Sequence, residues 1–221
     1  AVLVVTVAPP ETSAVFIDRF LAGAEAYRIP VVIVFNKTDL YSESEMRYME
    51  AMKRLYESLG YECVSLSAET GEGCHVLQDI LQDSVSLLSG NSGVGKSTLV
   101  NRLLPHLEVK TAEISSVHDT GMHTTTFSEM YTLPFGGYLI DTPGIKGFGT
   151  FDIEREEVSH YFREIFLLSH ECRFGVGCTH THEPGCAVRQ AVEEHRIAES
   201  RYASYLSMLE DKEEGKYRAA Y

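Results

Sequence analysis

The eight residues Gly90-Asn91-Ser92-Gly93-Val94-Gly95-Lys96-Ser97 restrict the fold more than any other feature of this chain. They fit G-x-x-x-x-G-K-[ST], and their neighbours supply the context the motif demands. Val85–Leu88 is an apolar strand-forming run, and the residues after Gly95 read as a helix to Leu104 that Pro105 stops. In such a strand–loop–helix unit, backbone N–H groups curl around an anion and the positive end of the helix points at it. Gly90 to Thr98 are therefore assigned to nucleotide binding. Lys96 is expected to reach the β- and γ-phosphates and Ser97 to offer its hydroxyl to Mg²⁺. The loop does not by itself distinguish ATP from GTP.

The rest of the chain alternates in the same way. Strands are expected at Val2–Val7, Val31–Phe35, Cys63–Leu66, Thr126–Leu133 and Tyr138–Ile140. Val31–Phe35 is apolar throughout, as a strand buried on both faces requires. Helices are expected from a Thr12 or Ser13 cap to Tyr27, from Ser44 to Leu59, and over His75–Leu81. Gly136-Gly137 reads as a hairpin turn. This pattern predicts an α/β domain over 1–150, a mostly parallel sheet with helices on both faces. Beyond it the pattern is helical over Glu154–Leu168, Ala187–Glu194 and Ser200–Glu214, giving a small second domain over 151–221.

Asn36-Lys37-Thr38-Asp39 follows the second strand and fits N-K-x-D. Guanine offers two donors on one edge, N1–H and the 2-amino group, and a carboxylate accepts both. Asp39 is the residue expected to do so. Adenine would leave that carboxylate without a partner, a loss that can reject a ligand by about 10⁴-fold. Asn36 is expected to bond O6/N7, and the Lys37 stem to cover a face of the base. Ser67-Ala68 resembles the partner motif, with the Ala68 N–H directed to O6.

Asp141-Thr142-Pro143-Gly144 fits D-x-x-G. Asp141 would hold a water on Mg²⁺ and the Gly144 N–H would touch the γ-phosphate. Thr124, Thr125 and Thr126 offer hydroxyls to the same ion; spacing does not choose among them, and Thr125 stands as the assignment. Ile145 occupies the place where many GTPases carry Gln to orient water. His123 is the substitute catalytic candidate, beside Lys96.

The motifs stand in an unusual order, because Asn36 precedes Gly90. That is a circular permutation of one site, which tolerates a new cut if the old termini can be joined. With Val5–Pro10, Gly121–Thr126 and Asp141–Gly149, the chain resembles the circularly permuted, ribosome small-subunit-dependent GTPases (RsgA/YjeQ). The resemblance implies GTP hydrolysis to GDP and phosphate, stimulated by the small (30S) ribosomal subunit, in late maturation of that subunit. A histidine at the His123 position is implicated in hydrolysis there. The family carries an OB-fold ahead of the GTPase region, whereas this chain opens at the first GTPase strand.

Cys172-x₅-Cys178-x-His180-x₅-Cys186 supplies three thiolates and an imidazole, a closed set suited to one structural Zn²⁺. His170 and His182 are rivals in spacing, and the family pattern selects His180. Cys63 and Cys74, distant in sequence, read as inert core thiols. The odd count of 5 Cys and no evident secretory signal favour a reducing cytoplasm over a disulfide framework.

The net charge of −13 argues against non-specific nucleic-acid binding, so any rRNA contact needs a local patch. No apolar run approaches the ~18 residues of a membrane span. The chain is expected to be a cytoplasmic monomer. Two rival readings remain at this point: a zinc-dependent RNA- or protein-binding module whose nucleotide site only regulates docking, and an ATPase.

Overall fold

The computed structural model describes residues 1–105, 129–141 and 153–213. These fall into two compact units. One holds 1–12, 32–57, 61–105 and 129–141; the other holds 13–31, 58–60 and 153–213.

The first unit is a six-stranded sheet. Its strands are β1 (Val2–Val5), β2 (Val32–Phe35), β3 (Glu62–Ser65), β4 (Val85–Ser89), β5 (Glu129–Thr132) and β6 (Tyr138–Asp141). Their order is β3-β2-β1-β4-β6-β5. All pairs are parallel except β5 with β6. The exception is the expected hairpin: Leu133 N–H donates to Gly137 O at 3.0 Å across the Gly136-Gly137 turn. The continuous apolar run of β1 is explained by burial on both sides, since Val2 to Val5 are all at most 1% exposed. One set of alternate residues, Val2 and Val4, packs with Val34, Val64, Leu88 and Leu139. The same cluster takes Leu77 and Leu81 from α3 (Cys74–Leu81) and Leu99, Val100 and Leu103 from α4 (Lys96–Leu103). The remaining helix of this unit, α2 (Glu43–Ser58), buries Met49, Met52 and Tyr56.

The second unit begins with α1 (Ala14–Ala26), whose cap Ser13 accepts from Phe16 N–H at 3.2 Å. The sequence suggested a boundary after residue 150; by packing, α1 groups with the helices beyond residue 153. Those are α5 (Arg163–Ser169), α6 (Ala187–Glu193) and α7 (Glu199–Glu213). The single helix expected over 154–168 is instead a 3₁₀ segment, Arg155–Tyr161, followed by α5. The break is at Phe162, whose backbone is extended at φ −108° and ψ 101°. Its ring is fully buried, edge-on to Tyr205 at 5.6 Å and under the Arg201 guanidinium at 4.7 Å.

Arg201 is the largest fully buried side chain among the described residues. It donates to Glu164 Oε1 and Asp18 Oδ1, each at 2.7 Å, so α7 binds α5 and α1. Burial disfavours its charge, but the two carboxylates overcome this and raise its pKa further. Removing one member of a buried ion group costs about 3–5 kcal/mol. Arg201→Ala is therefore expected to lower stability by that amount in urea unfolding. A loss under ~1 kcal/mol would show that the group is not holding the helices.

Candidate nucleotide site and metal centre

Because β1, β2, β3, β4 and β6 are parallel, their carboxyl ends share one edge of the sheet, where open α/β sheets bind ligands. The described motif residues emerge there. Asn36 follows β2, Ser67-Ala68 follows β3, Gly90 follows β4 and Asp141 ends β6. Reversed chain order has not separated them, because the register aligns Phe35 with Val5 and Asp141 with Leu88.

The phosphate loop curls as its glycines allow. Lys96 turns back over it and donates to Gly90 O at 2.6 Å and Asn91 O at 2.7 Å. Ser97 and Thr98 are half-buried in the first turn of α4. Val94 is fully buried, whereas Ser92 and Gly93 are exposed. Gly95, which caps α4, has φ +95°, and a Cβ there would lie 2.3 Å from Asn36 Nδ2. At Gly90 a Cβ would lie 2.3 Å from Val4 O. Gly95→Ala must displace Asn36 or the loop. Strain of roughly 1–3 kcal/mol is expected, hence about 10- to 100-fold weaker GDP binding by calorimetry. Undiminished affinity would mean that the loop does not need this close approach.

The neighbour met by that Cβ joins the two halves of the site. Asn36 is 1% exposed, and its Nδ2 donates to Val94 O at 2.8 Å while its Oδ1 accepts from Ala68 N–H at 2.9 Å. The same side chain thus holds the phosphate loop on one side and the Ser-Ala loop on the other. The sequence suggested that it bonds O6/N7 of the base; the two loop contacts use one of its two amide hydrogens and one acceptor position of its oxygen. An O6 at Ala68 would share the N–H with Asn36 in a three-centre bond. Lys37 is left-handed at φ +69°, which turns the chain into the Thr38–Leu40 3₁₀ segment and leaves Asp39 exposed at its rim.

Sequence reasoning missed the residues that brace these loops. Tyr41 Oη accepts from Val7 N–H at 3.1 Å and donates to Asn36 O. Burial pushes the Tyr41 phenol pKa up. Arg102 Nε donates to Ala68 O at 3.0 Å, and Nη2 donates to Glu69 O. Ser67 is buried and its Oγ accepts from Thr70 N–H at 3.1 Å. A lone Tyr and a lone Arg outside every motif carry no spacing signal. His123, Thr124, Thr125, Thr126, Gly144 and Ile145 lie outside the described residues, and of Asp141 only the backbone is described.

In the second unit, Cys172, Cys178, His180 and Cys186 are all buried, with their ligand atoms within 4.8 Å of one another. Cys172 and Cys186 sulfurs are 3.9 Å apart, and His180 Nδ1 lies 3.6 and 3.4 Å from them. A tetrahedral zinc ion with ordinary bond lengths has S–S edges of about 3.8 Å and S–N edges of about 3.6 Å. The donor set fits. His182 is exposed with Nδ1 against Thr181 Oγ1 at 2.8 Å, and His170 stacks edge-on to Phe166. Neither rival belongs to the cluster. Burial raises the Cys178 thiol to about 12, so a thiolate there calls for a cation.

Other side chains shape the loop that carries His180. Tyr202 and Tyr205 hydroxyls donate to His180 O at 2.6 Å and Thr179 O at 2.8 Å, fixing its left-handed backbone of φ +56°. Glu183 accepts N–H bonds from Thr179, Thr181 and His182. Burial opposes its charge, but the Thr179 hydroxyl and the backbone donors hold it down to about 2.

A family model described as RsgA GTPase matches residues 1–151. The chain belongs to the RsgA GTPase family. Among curated RsgA relatives, the small ribosomal subunit biogenesis GTPase RsgA of Bacteroides fragilis is 66% identical over 219 residues, 99% of this chain and 70% of that protein. Its counterpart in Porphyromonas gingivalis W83 is 55% identical over 224 residues, 100% of this chain and 71% of that protein. The crystal structure of YjeQ from Thermotoga maritima matches with TM-score 0.82 and 41% identity, covering 96% of this chain and 70% of that one. The crystal structure of YloQ, a circularly permuted GTPase, matches with TM-score 0.78 and 31% identity, covering 98% and 69%. The second, a circularly permuted GTPase, agrees with the permuted motif order. Membership makes the chain a GTPase, and the GTPase reading prevails over the ATPase one.

Proposed function

We propose that this chain hydrolyses GTP to GDP and phosphate, and that the small (30S) ribosomal subunit and its rRNA stimulate it during late maturation of that subunit. The Asn36 bridge between Val94 O and Ala68 N–H supports this reading, because it ties the N-K-x-D and Ser-Ala segments to the G-x-x-x-x-G-K-[ST] loop. Relatives named as small ribosomal subunit biogenesis GTPases support the ribosomal part.

Lys96 holds the β- and γ-phosphates, and Ser97 and Thr125 would hold Mg²⁺, which would neutralise charge developing on the phosphates. Asp141 holds a water of that ion, and Gly144 senses the γ-phosphate. Asp39 reads the two guanine donors and Ala68 reads O6. His123 orients the attacking water where Ile145 cannot. Cys172, Cys178, His180 and Cys186 hold one zinc ion that stabilises their loop and leaves no open position for catalysis. We assign nucleotide chemistry to 1–150 and the zinc domain to 151–221, in a cytoplasmic monomer. No helix among the described residues is long and apolar enough to cross a membrane.

The test is steady-state GTP turnover titrated with purified small subunits, beside His123→Ala. Stimulation by the subunit, lost in the variant by about 10²-fold or more, is expected. Turnover without stimulation would favour the docking-module reading, and full activity in the variant would remove His123 from the mechanism.

A further inference from the structure

The peptide groups around Ala68 are held from two directions. Asn36 Oδ1 takes the N–H of Ala68 at 2.9 Å. From the other side, Arg102 Nε takes its carbonyl at 3.0 Å, and Nη2 takes the Glu69 carbonyl. The guanidinium lies against Gly71, where a Cβ would stand 3.4 Å from Nη1. A Cβ at that position would be in van der Waals contact with the guanidinium.

Arg102 belongs to α4, the helix that opens with Lys96 and Ser97. At about 1.5 Å rise per residue, the six-residue interval from Lys96 spans roughly 9 Å. The helix is a rigid link between the residue that grips phosphates and the one that clasps the Ser-Ala loop. Asn36 already ties both loops through Val94 O. Arg102 adds a second tie, and the two together fix where the Ala68 N–H can lie.

We propose that Arg102 is a positioning residue for guanine recognition, fixing Ala68 opposite the base O6 from the helix that carries Lys96 and Ser97. This rests on the guanine reading of the site given above. Arg102 reaches carbonyl groups, not the nucleotide, so its effect falls on the geometry of the O6 contact.

The probe is 6-thio-GDP, which keeps N1–H and the 2-amino group but replaces O6 with a weak sulfur acceptor. Calorimetric titration of the full 221-residue chain compares GDP, 6-thio-GDP and ADP for wild type, Arg102→Met and Arg102→Lys. Wild type is expected to prefer GDP to 6-thio-GDP on the order of tenfold. In Arg102→Met, GDP binding weakens by about tenfold, as losing bonds from a charged donor implies. The GDP to 6-thio-GDP ratio falls towards one, and Arg102→Lys restores part of it. A purely structural role would weaken both nucleotides equally. An unchanged ratio in Arg102→Met, or in Arg102→Ala if the Met variant does not fold, overturns the proposal. Wild type binding ADP as well as GDP would instead overturn the guanine reading, and the proposal with it.

Discussion

Asp39→Asn is expected to weaken GDP binding by about 10⁴-fold and to create a site that prefers XDP. The reason lies in the donors and acceptors along one base edge. Guanine presents N1–H and the 2-amino group, both of which a carboxylate accepts. Xanthine keeps N1–H but carries a carbonyl at position 2, which would be repelled by a carboxylate. An Asn amide accepts from N1–H with its oxygen and donates to that carbonyl with its nitrogen. The fold should tolerate the change. Asp39 is exposed on a short 3₁₀ turn pinned by backbone bonds, Thr38 N–H to Leu66 O at 3.3 Å and Leu40 N–H to Lys37 O at 3.0 Å. Surface substitutions of this kind usually move stability by less than about 0.5 kcal/mol. Competition titrations with GDP and XDP on both proteins provide the check. A variant that still prefers GDP would place the base elsewhere.

Removing zinc is expected to have a still larger effect, on the second unit. Structural zinc contributes apparent binding energies of about 10–16 kcal/mol in small domains. Here its three candidate cysteine ligands sit in the same apolar cluster as Phe162, Ile165, Val188 and Tyr205. Without a cation, burial keeps Cys178 and Cys186 protonated, and three thiols are a poor substitute for a tetrahedral anchor. Thiol modification in the presence of a chromogenic zinc indicator should release one equivalent of zinc per chain. Chelation or Cys178→Ser should abolish or sharply lower the unfolding transition of α5 to α7. Nucleotide titrations on the same samples separate this loss from damage to the sheet. Protein that holds no zinc and melts identically with and without chelator would contradict the assignment.

The parts of the fold most legible in the sequence are those set by local chemistry. The apolar runs at β1 and β2 announce strands buried on both sides. Gly60, just beyond α2, takes the left-handed conformation that glycine favours, at φ +83°. The phosphate loop and Asn36–Asp39 declare themselves by spacing, and the Cys/His cluster by its donor set. What was hidden depends on distant partners. Phe162 breaks a helical pattern because Tyr205 and Arg201, some forty residues later, offer its ring a buried place. Nothing in the amphipathic run around α1 says that it will pack with helices beyond residue 153. Asn36 was legible as a site residue, but its engagement by Val94 O and Ala68 N–H was not, because both partners are backbone atoms. For the same reason Arg102 and Tyr41 leave no mark in the sequence.

The account depends on Asp39 and Lys96 gripping opposite ends of a single guanosine polyphosphate despite their reversed order in the chain. A crystal structure with Mg²⁺ and GDP measures this directly. Asp39 oxygens should lie within hydrogen-bond distance of N1 and the 2-amino group of the same molecule whose β-phosphate contacts Lys96 Nζ. A nucleotide seated on the phosphate loop with its base away from Asp39, or none at that loop, would contradict it.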